Sequence, residues 1–281
     1  MSDGSPYRLP DLAAGEVRLF DLSRPMVPGM PQSPNHPAYS HALVRRHGDM
    51  VRPDGGSAAN DVIVTGTHVG THVDALSHVS HRGALHGGVD AQQAVQGGRF
   101  AVYGAEAIAP MLCRGILLDV PAALGLESCP PGYEITPGDL RDAAERQGTT
   151  PRPGDVVLVR SGWGQRWGDP AAYLGRDSGV PGVSEAGAQW LADQRVRAAG
   201  ADTIAFERLD PGAGHTHLPA HRVLLVEHGI HLIETMALEE IAAERLHEFL
   251  FVAVPLPLVG ATGSPVRPLA VVHQADPPAG C

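Results

Sequence analysis

The 281-residue chain contains no lysine; all 21 of its basic residues are arginine. That absence excludes Schiff-base chemistry on a lysine, pyridoxal phosphate anchored to the chain, and a P-loop lysine. Cysteine is scarce too: Cys113, Cys129 and Cys281 are widely spaced, odd in number and form no CxxC pair. Neither a disulfide framework nor a thiolate zinc site is indicated. Positive charge is in short supply, with a formal balance of −10 and no basic stripe, so a nucleic-acid partner is not expected. Long apolar runs are missing as well. The most hydrophobic stretch, Phe249 to Gly260 (FLFVAVPLPLVG), is too short and too proline-broken to span a bilayer. The N-terminal MSDGSPYRLPDLAAGE has no basic segment followed by an apolar one, so no signal peptide, no membrane partner and a cytoplasmic location are expected. No Gly-x-Ser-x-Gly elbow, no Gly-x-Gly-x-x-Gly after a strand and no His-Glu-x-x-His occurs.

What is present describes a globular protein: 43% hydrophobic residues and enough length to bury a substantial core. Strand-like segments, rich in Val, Ile, Leu or Phe and bounded by Gly, Pro or Asp, are expected at Val17–Leu22, Asp61–Thr65, Gly115–Val120, Asp155–Arg160, Thr203–Phe206 and Phe249–Leu256. Helices are expected at Pro137–Gln147, at Ser184–Ala198 with Ser184 as N-cap and Gly200 closing it, and at Ala237–Ala243. The pattern reads as one α/β domain with a mixed β-sheet and flanking helices. Residues 1–15 and the Pro/Gly-rich end after about 268 are expected to be peripheral arms.

Fifteen histidines is a high count, and three of them fall in one stretch, THVGTHVDALSH, from Thr67 to His78. His68, His72, Asp74 and His78 sit at i, i+4, i+6 and i+10. On a helix they cannot share a face, because at about 100° per residue Asp74 lies about 160° from His72. On a straight strand, rising about 3.3 Å per residue, His68 and His72 stand too far apart for one ion. The chain must bend, and Gly70 permits the bend. Beyond it, an extended segment aims His72 and Asp74 at a common point. Two imidazoles and a carboxylate suit zinc, manganese or iron and leave coordination positions open, as a catalytic ion requires. The competing reading, core histidines and a threonine-capped turn, accounts poorly for four ligand-type side chains in eleven residues.

A second candidate pair is His221, in GHTHLPAHR, and Glu234, which closes the apolar run Ile230–Ile233. On residues alone they are equally a metal pair or a loop histidine with a helix-start glutamate stabilised by the helix dipole. Trp163, after a strand and between two glycines, is either a pocket wall for a planar substrate or a packing residue.

The pattern His-x-Gly-Thr-His-x-Asp-x-x-x-His resembles the signature of the metal-dependent cyclase family, which includes bacterial kynurenine formamidases and isatin hydrolases. Phe20-Asp21-Leu22-Ser23-Arg24-Pro25-Met26, Gly154 to Trp163 (GDVVLVRSGW), Pro181 to Ser184 and Gly200 to Thr203 resemble further segments of the same family, in order. The resemblance covers about residues 17–256. It implies a swivelling β/β/α-type fold, dimeric or tetrameric, with His68, His72 and Asp74 binding a first metal. Asp74 would bridge to a second ion held by His78, His221 and Glu234, and His78 would be ligand, proton shuttle or both. It further implies Zn²⁺ or Mn²⁺, one or two per chain, with no organic cofactor. The reaction it implies is hydrolysis of a small-molecule amide, imide, lactam or ester by metal-activated water, with His78 moving the proton. A metal-dependent lyase or cyclase reaction, or a non-catalytic metal-binding protein, is the alternative. Leu76, where the family has proline, and the extra His81, His86, His215 and His217 set this chain apart.

Overall fold

In the computed structural model, which describes residues 17–273, nine strands form one mixed sheet. They are β1 (Val17–Asp21), β4 (His72–Asp74), β7 (Met111–Asp119), β9 (Val156–Arg160), β11 (Ala198–Ala201), β12 (His231–Glu234), β13 (Glu248–Ala253), β14 (Gly263–Pro265) and β15 (Leu269–His273). Three two-stranded ribbons stand apart: β2 (Ser40–Arg45) with β3 (Asn60–Val64), β5 (Val95–Gln96) with β6 (Arg99–Phe100), and β8 (Glu134–Ile135) with β10 (Gly182–Val183). The sheet runs β1-β15-β13-β7-β9-β11-β12-β4-β14. Its centre, β7 to β12, is parallel, and antiparallel strands flank it on both sides.

Central parallel strands bury both faces, which is why their sequences are unbroken apolar runs. Side chains alternate between two cores: Ile116, Leu118, Val157, Val159, Ala199 and Leu232 enter one, while Leu117, Val156, Leu158, Ala198 and Ile233 enter the other. Helices Pro137–Gln147 and Glu185–Asp193 cover the first core with Leu140, Ala143, Ala188 and Leu191. The former is fixed at both ends, by a Thr136/Asp139 capping box and by left-handed Gly148.

Several expectations need correction. The helix capped by Ser184 stops at Asp193, and Gly200 lies inside β11. A side chain there would put Cβ 2.6 Å from Met236 Sδ and 2.8 Å from Leu158 Cδ2, so close packing of the sheet demands glycine. Thr203–Phe206 is accordingly a bent segment after β11. Asp61–Thr65 is extended, but as part of the β2–β3 ribbon outside the main sheet. Val120 leaves β7 to start the short helix Val120–Leu124, capped by Asp119. The end after about 268 is no arm as far as it is described: β15 pairs with β1 and β13 inside the sheet. The N-terminal arm and Cys281 fall outside the described residues.

Candidate metal centre

Gly70 makes the bend. Its φ is +70°, and after it the chain runs extended as the fully buried β4. Thr71 fastens the turn, donating to the Thr235 carbonyl at 2.7 Å and accepting from the Arg24 amide at 2.9 Å. β4 lies antiparallel to β12, with His72 directly opposite Glu234. Residues opposite one another and two apart share a sheet face, so His72, Asp74 and Glu234 converge.

Two sets of ligand-type atoms result, each with its atoms within 4.8 Å of one another: His68, Asp74 and His78, and Asp74, His221 and Glu234. Asp74, with no exposed surface, belongs to both. The partition differs from the one implied by the resemblance, since His78 joins His68 rather than His221. His72 stands at the junction, its Nε2 3.5 Å from Asp74 Oδ1 and 3.5 Å from Glu234 Oε2. Its Nδ1 donates to the Gly70 carbonyl at 2.8 Å, which leaves Nε2 bearing the lone pair.

His68 Nδ1 meets Asp74 Oδ1 at 2.8 Å and its Nε2 meets Thr262 Oγ1 at 2.9 Å. Its ring is stacked between His78, at 3.8 Å, and His36, at 5.3 Å. His221 Nε2 lies 3.2 Å from Glu234 Oε1 and 3.5 Å from Asp74 Oδ2, while its Nδ1 is bonded to the carboxylate of buried Glu207. Glu207, His36 and Thr262 are the members that sequence reasoning missed. No local spacing joins them to their partners.

The electrostatics follow from burial. It pushes His72 down to about 4 and His78 down to about 3, against the attraction of Asp74, so both are neutral at pH 7. Glu234 is pushed up to about 7 by the same desolvation. Burial opposes ionisation of Asp74, but His78, His221 and His68 hold its carboxyl well below the usual range. For His221 the charge of Glu207 and the neighbouring carboxylates overcome burial and carry it well above an ordinary histidine.

The donors suit a divalent ion. Asp74 Oδ2 and Glu234 Oε1 are buried without a hydrogen bond of sound geometry. Leaving such oxygens unpartnered costs on the order of 1–3 kcal/mol each, and a cation between them removes that cost. Imidazole nitrogen with carboxylate oxygen matches zinc or manganese.

Trp163 does not reach this cluster. It is 1% exposed and its indole N–H donates to the Tyr173 carbonyl at 2.7 Å. It packs with Tyr173, Val180, Ile204 and Leu209, so it supports a wall from behind rather than forming one. His215 lines a cavity beside the cluster, His86 packs edge-on to Tyr103, and His81 and His217 are exposed.

The chain is similar to known proteins in sequence and fold. The Cyclase family, described as "Putative cyclase", matches residues 20–208. An isatin hydrolase from Roseibium aggregatum is 27% identical over 271 residues, covering 94% of this chain and 95% of that protein. A kynurenine formamidase from Geobacillus thermodenitrificans is 26% identical over 216 residues, covering 77% and 81%. The crystal structure of a novel cyclase superposes with a TM-score of 0.79 at 30% identity, covering 92% of this chain and 88% of that one.

Proposed function

Since the chain belongs to the Cyclase family, we propose that it is a metal-dependent hydrolase opening a C–N or C–O bond beside the carbonyl of a small molecule, an amide, imide, lactam or lactone. Hydrolysis of a non-peptide C–N bond is the reaction for which its curated relatives are named. His68, Asp74 and His78 would hold one Zn²⁺ or Mn²⁺, and Asp74, His221 and Glu234 a second, with His72 between them. Such an ion supplies a water of lowered pKa, about 7 in favourable zinc sites, and polarises the carbonyl.

One observation carries the assignment of roles. Among the six proposed ligands only His78 is not fully buried. It is the one side chain able to pass a proton between the cluster and the substrate or solvent. Its ring is neutral at pH 7 because burial pushes it down to about 3, so its single lone pair serves either an ion or a proton, not both at once. Asp74, closed in on every side, stays anionic and fixes the surrounding imidazoles. The proton taken by His78 goes to the leaving nitrogen or oxygen, which departs neutral.

A homo-oligomer, dimer or tetramer, belongs to this reading. The β2–β3 ribbon exposes Leu43, Val44, Val62, Ile63 and Val64. Neighbouring residues point to opposite faces, so both faces of this ribbon are apolar, and an isolated two-stranded ribbon is marginally stable in water. A second copy would cover it. A cytoplasmic location fits the free thiols Cys113 and Cys129; no helix among the described residues is long and apolar enough to cross a membrane.

The test is metal content by elemental mass spectrometry on protein purified without chelator, joined to turnover of isatin and of N-formyl arylamines followed by product mass. Bound Zn²⁺ or Mn²⁺, a product heavier by one water, and loss of turnover in His78→Ala are expected. Full activity in that variant together with indifference to chelator would sink the proposal.

A further inference from the structure

The strand that carries two of the proposed ligands is held by very little main chain. β4 is three residues long, and its pairing with β12 consists of Glu234↔His72 and Ile233↔Val73 and goes no further. On its other side lies only β14, also three residues long and the edge of the sheet. Register is critical here, because a slip of one residue turns His72 and Asp74 to the opposite face of the sheet.

Side chains fasten both ends. Where the β12 pairing stops, the His231 ring takes over, its Nδ1–H donating to the Asp74 carbonyl at 2.8 Å. A carbonyl only accepts, so this bond fixes the proton on Nδ1. At the other end the Thr71 hydroxyl donates to the Thr235 carbonyl at 2.7 Å. Thr235 directly follows Glu234 and is a β-branched residue with φ +59°, a conformation that persists only where its surroundings impose it. Its amide is tied as well, to the Thr203 carbonyl at 2.9 Å.

His231 acts from behind the sheet. Alternation puts it on the face of Ile233, whereas Glu234 shares the face of Leu232, and those two faces enter different cores. It belongs to neither set of ligand-type atoms. Its half-buried ring lines a separate cavity of about 480 Å³ with Met111 and Ile230, so exchanging the ring disturbs little packing.

We propose that His231 and Thr71 are positioning residues of the metal centre. One holds the far end of β4 and the other its near end, and together they fix the register that puts His72 and Asp74 on the ligand face. The proposal rests on the metal-centre reading above and is independent of the substrate. Neither residue touches an ion; each acts through the main chain of a ligand strand.

The experiment is Zn²⁺ affinity, by competition against a chelator of known affinity, together with the Co²⁺ absorption spectrum. It uses full-length protein carrying His231→Leu, His231→Asn, Thr71→Val or Thr71→Ser. Leucine and asparagine are close in size, but the asparagine amide nitrogen stands where Nδ1 stood and still donates. Serine likewise keeps the hydroxyl that valine lacks. His231→Leu and Thr71→Val are expected to weaken Zn²⁺ by about tenfold or more and to alter the Co²⁺ spectrum, while His231→Asn and Thr71→Ser stay within about threefold of the native chain. Melting of chelator-treated protein reads the cost to the fold separately. A lower Tm with native affinity and spectrum in His231→Leu and Thr71→Val makes the bonds merely structural and overturns the proposal. So does equal weakening within each pair. If His231→Leu does not fold, His231→Gln replaces it, since its amide reaches one atom too far; affinity equal to that of His231→Asn overturns the role of His231. A native chain that takes up neither Zn²⁺ nor Mn²⁺ overturns the proposal along with the metal centre. Donor-dependent affinity without turnover of any carbonyl substrate supports the positioning role and overturns the hydrolase reading alone.

Discussion

Glu207 holds His221 from behind: its carboxylate takes the His221 Nδ1–H with one oxygen and the Ala220 amide, at 2.6 Å, with the other. That grip turns Nε2 toward Asp74 and Glu234. The preceding residue, Phe206, is buried with φ +50°, a left-handed backbone that swings Glu207 inward. A carboxylate behind a ligating histidine typically contributes 10–100-fold in metal affinity or activity. Glu207→Gln keeps an acceptor but removes the charge, and is expected to lower metal affinity by about tenfold, with Glu207→Ala nearer the upper end. Competition against a chelator of known affinity measures it. Unchanged affinity in both variants would strip Glu207 of this role.

The same contact makes metal loading a proton-releasing event. In the metal-free protein His221 stands well above an ordinary histidine and carries a proton at pH 7. Nε2 must lose that proton before it can donate to a cation. Calorimetric loading at pH 7 in two buffers of different ionisation heat should report release of more than one proton per second-site ion, about one from His221 and about half of one from Glu234. Glu207→Gln should reduce the number. Identical heats in both buffers would contradict the protonated state.

The local part of this site was legible because its geometry is local. A glycine hinge followed by an extended segment orders His72 and Asp74 by period-two alternation alone, and Gly70 and β4 have that form. Glu207 is fourteen residues from His221 and Thr262 is 194 residues from His68, so no spacing connects either pair. The error at Ser184–Ala198 has a similar origin. The expected helix runs to Ala198 with Gly200 closing it, but the observed one stops at Asp193, and the small residues of Ala198–Ala201 form a thin strand between β9 and β12. Tertiary packing overrode propensity. Trp163 shows the limit from another side: its flanking glycines marked a turn, but whether the indole faced substrate or core depended on Tyr173, ten residues on.

Gly70 separates the cost of the bend from the binding it permits. A Cβ at Gly70 would approach Met26 Cγ at 3.5 Å, an ordinary contact, so Gly70→Ala suffers mainly from its φ of +70°. That costs about 1–2 kcal/mol, or a Tm lower by about 2–8 °C for a domain of this size. Gly48, with φ +93° and open space around it in the connection between β2 and β3, is the control. Gly48→Ala should show a similar Tm loss with metal affinity intact. Gly70→Ala should lose affinity as well, because the Gly70 carbonyl fixes the His72 tautomer. Equal affinity in the two variants would mean the bend does not set the ligand geometry.

Acid should destabilise the metal-free protein through two of its own proposed ligands. His72 and His78 are held down to about 4 and about 3, so below pH 6.5 the unfolded chain binds protons at these positions that the folded chain refuses. Their stabilisation is complete above pH 6.5 and is lost as pH falls toward the folded values. Each contributes a slope of about 1.4 kcal/mol per pH unit. Glu234 works the other way: raised to about 7, it is protonated when folded and ionised when unfolded between about 4.5 and 7, which offsets one histidine. His221, raised, is protonated in both states below pH 6.5 and adds nothing there. From these three groups together the slope is about 1.4 kcal/mol per pH unit between pH 6.5 and 4.5, and His36, His215, His231 and His247, also lowered by burial, add to it in the same direction, with stability falling as acid is added. Thermal unfolding of chelator-treated protein should show Tm dropping across that window. His78→Asn should flatten the profile and Glu234→Gln should steepen it. A Tm that is flat in the unmodified chain and steep in His78→Asn would reverse the assignment of the buried charges.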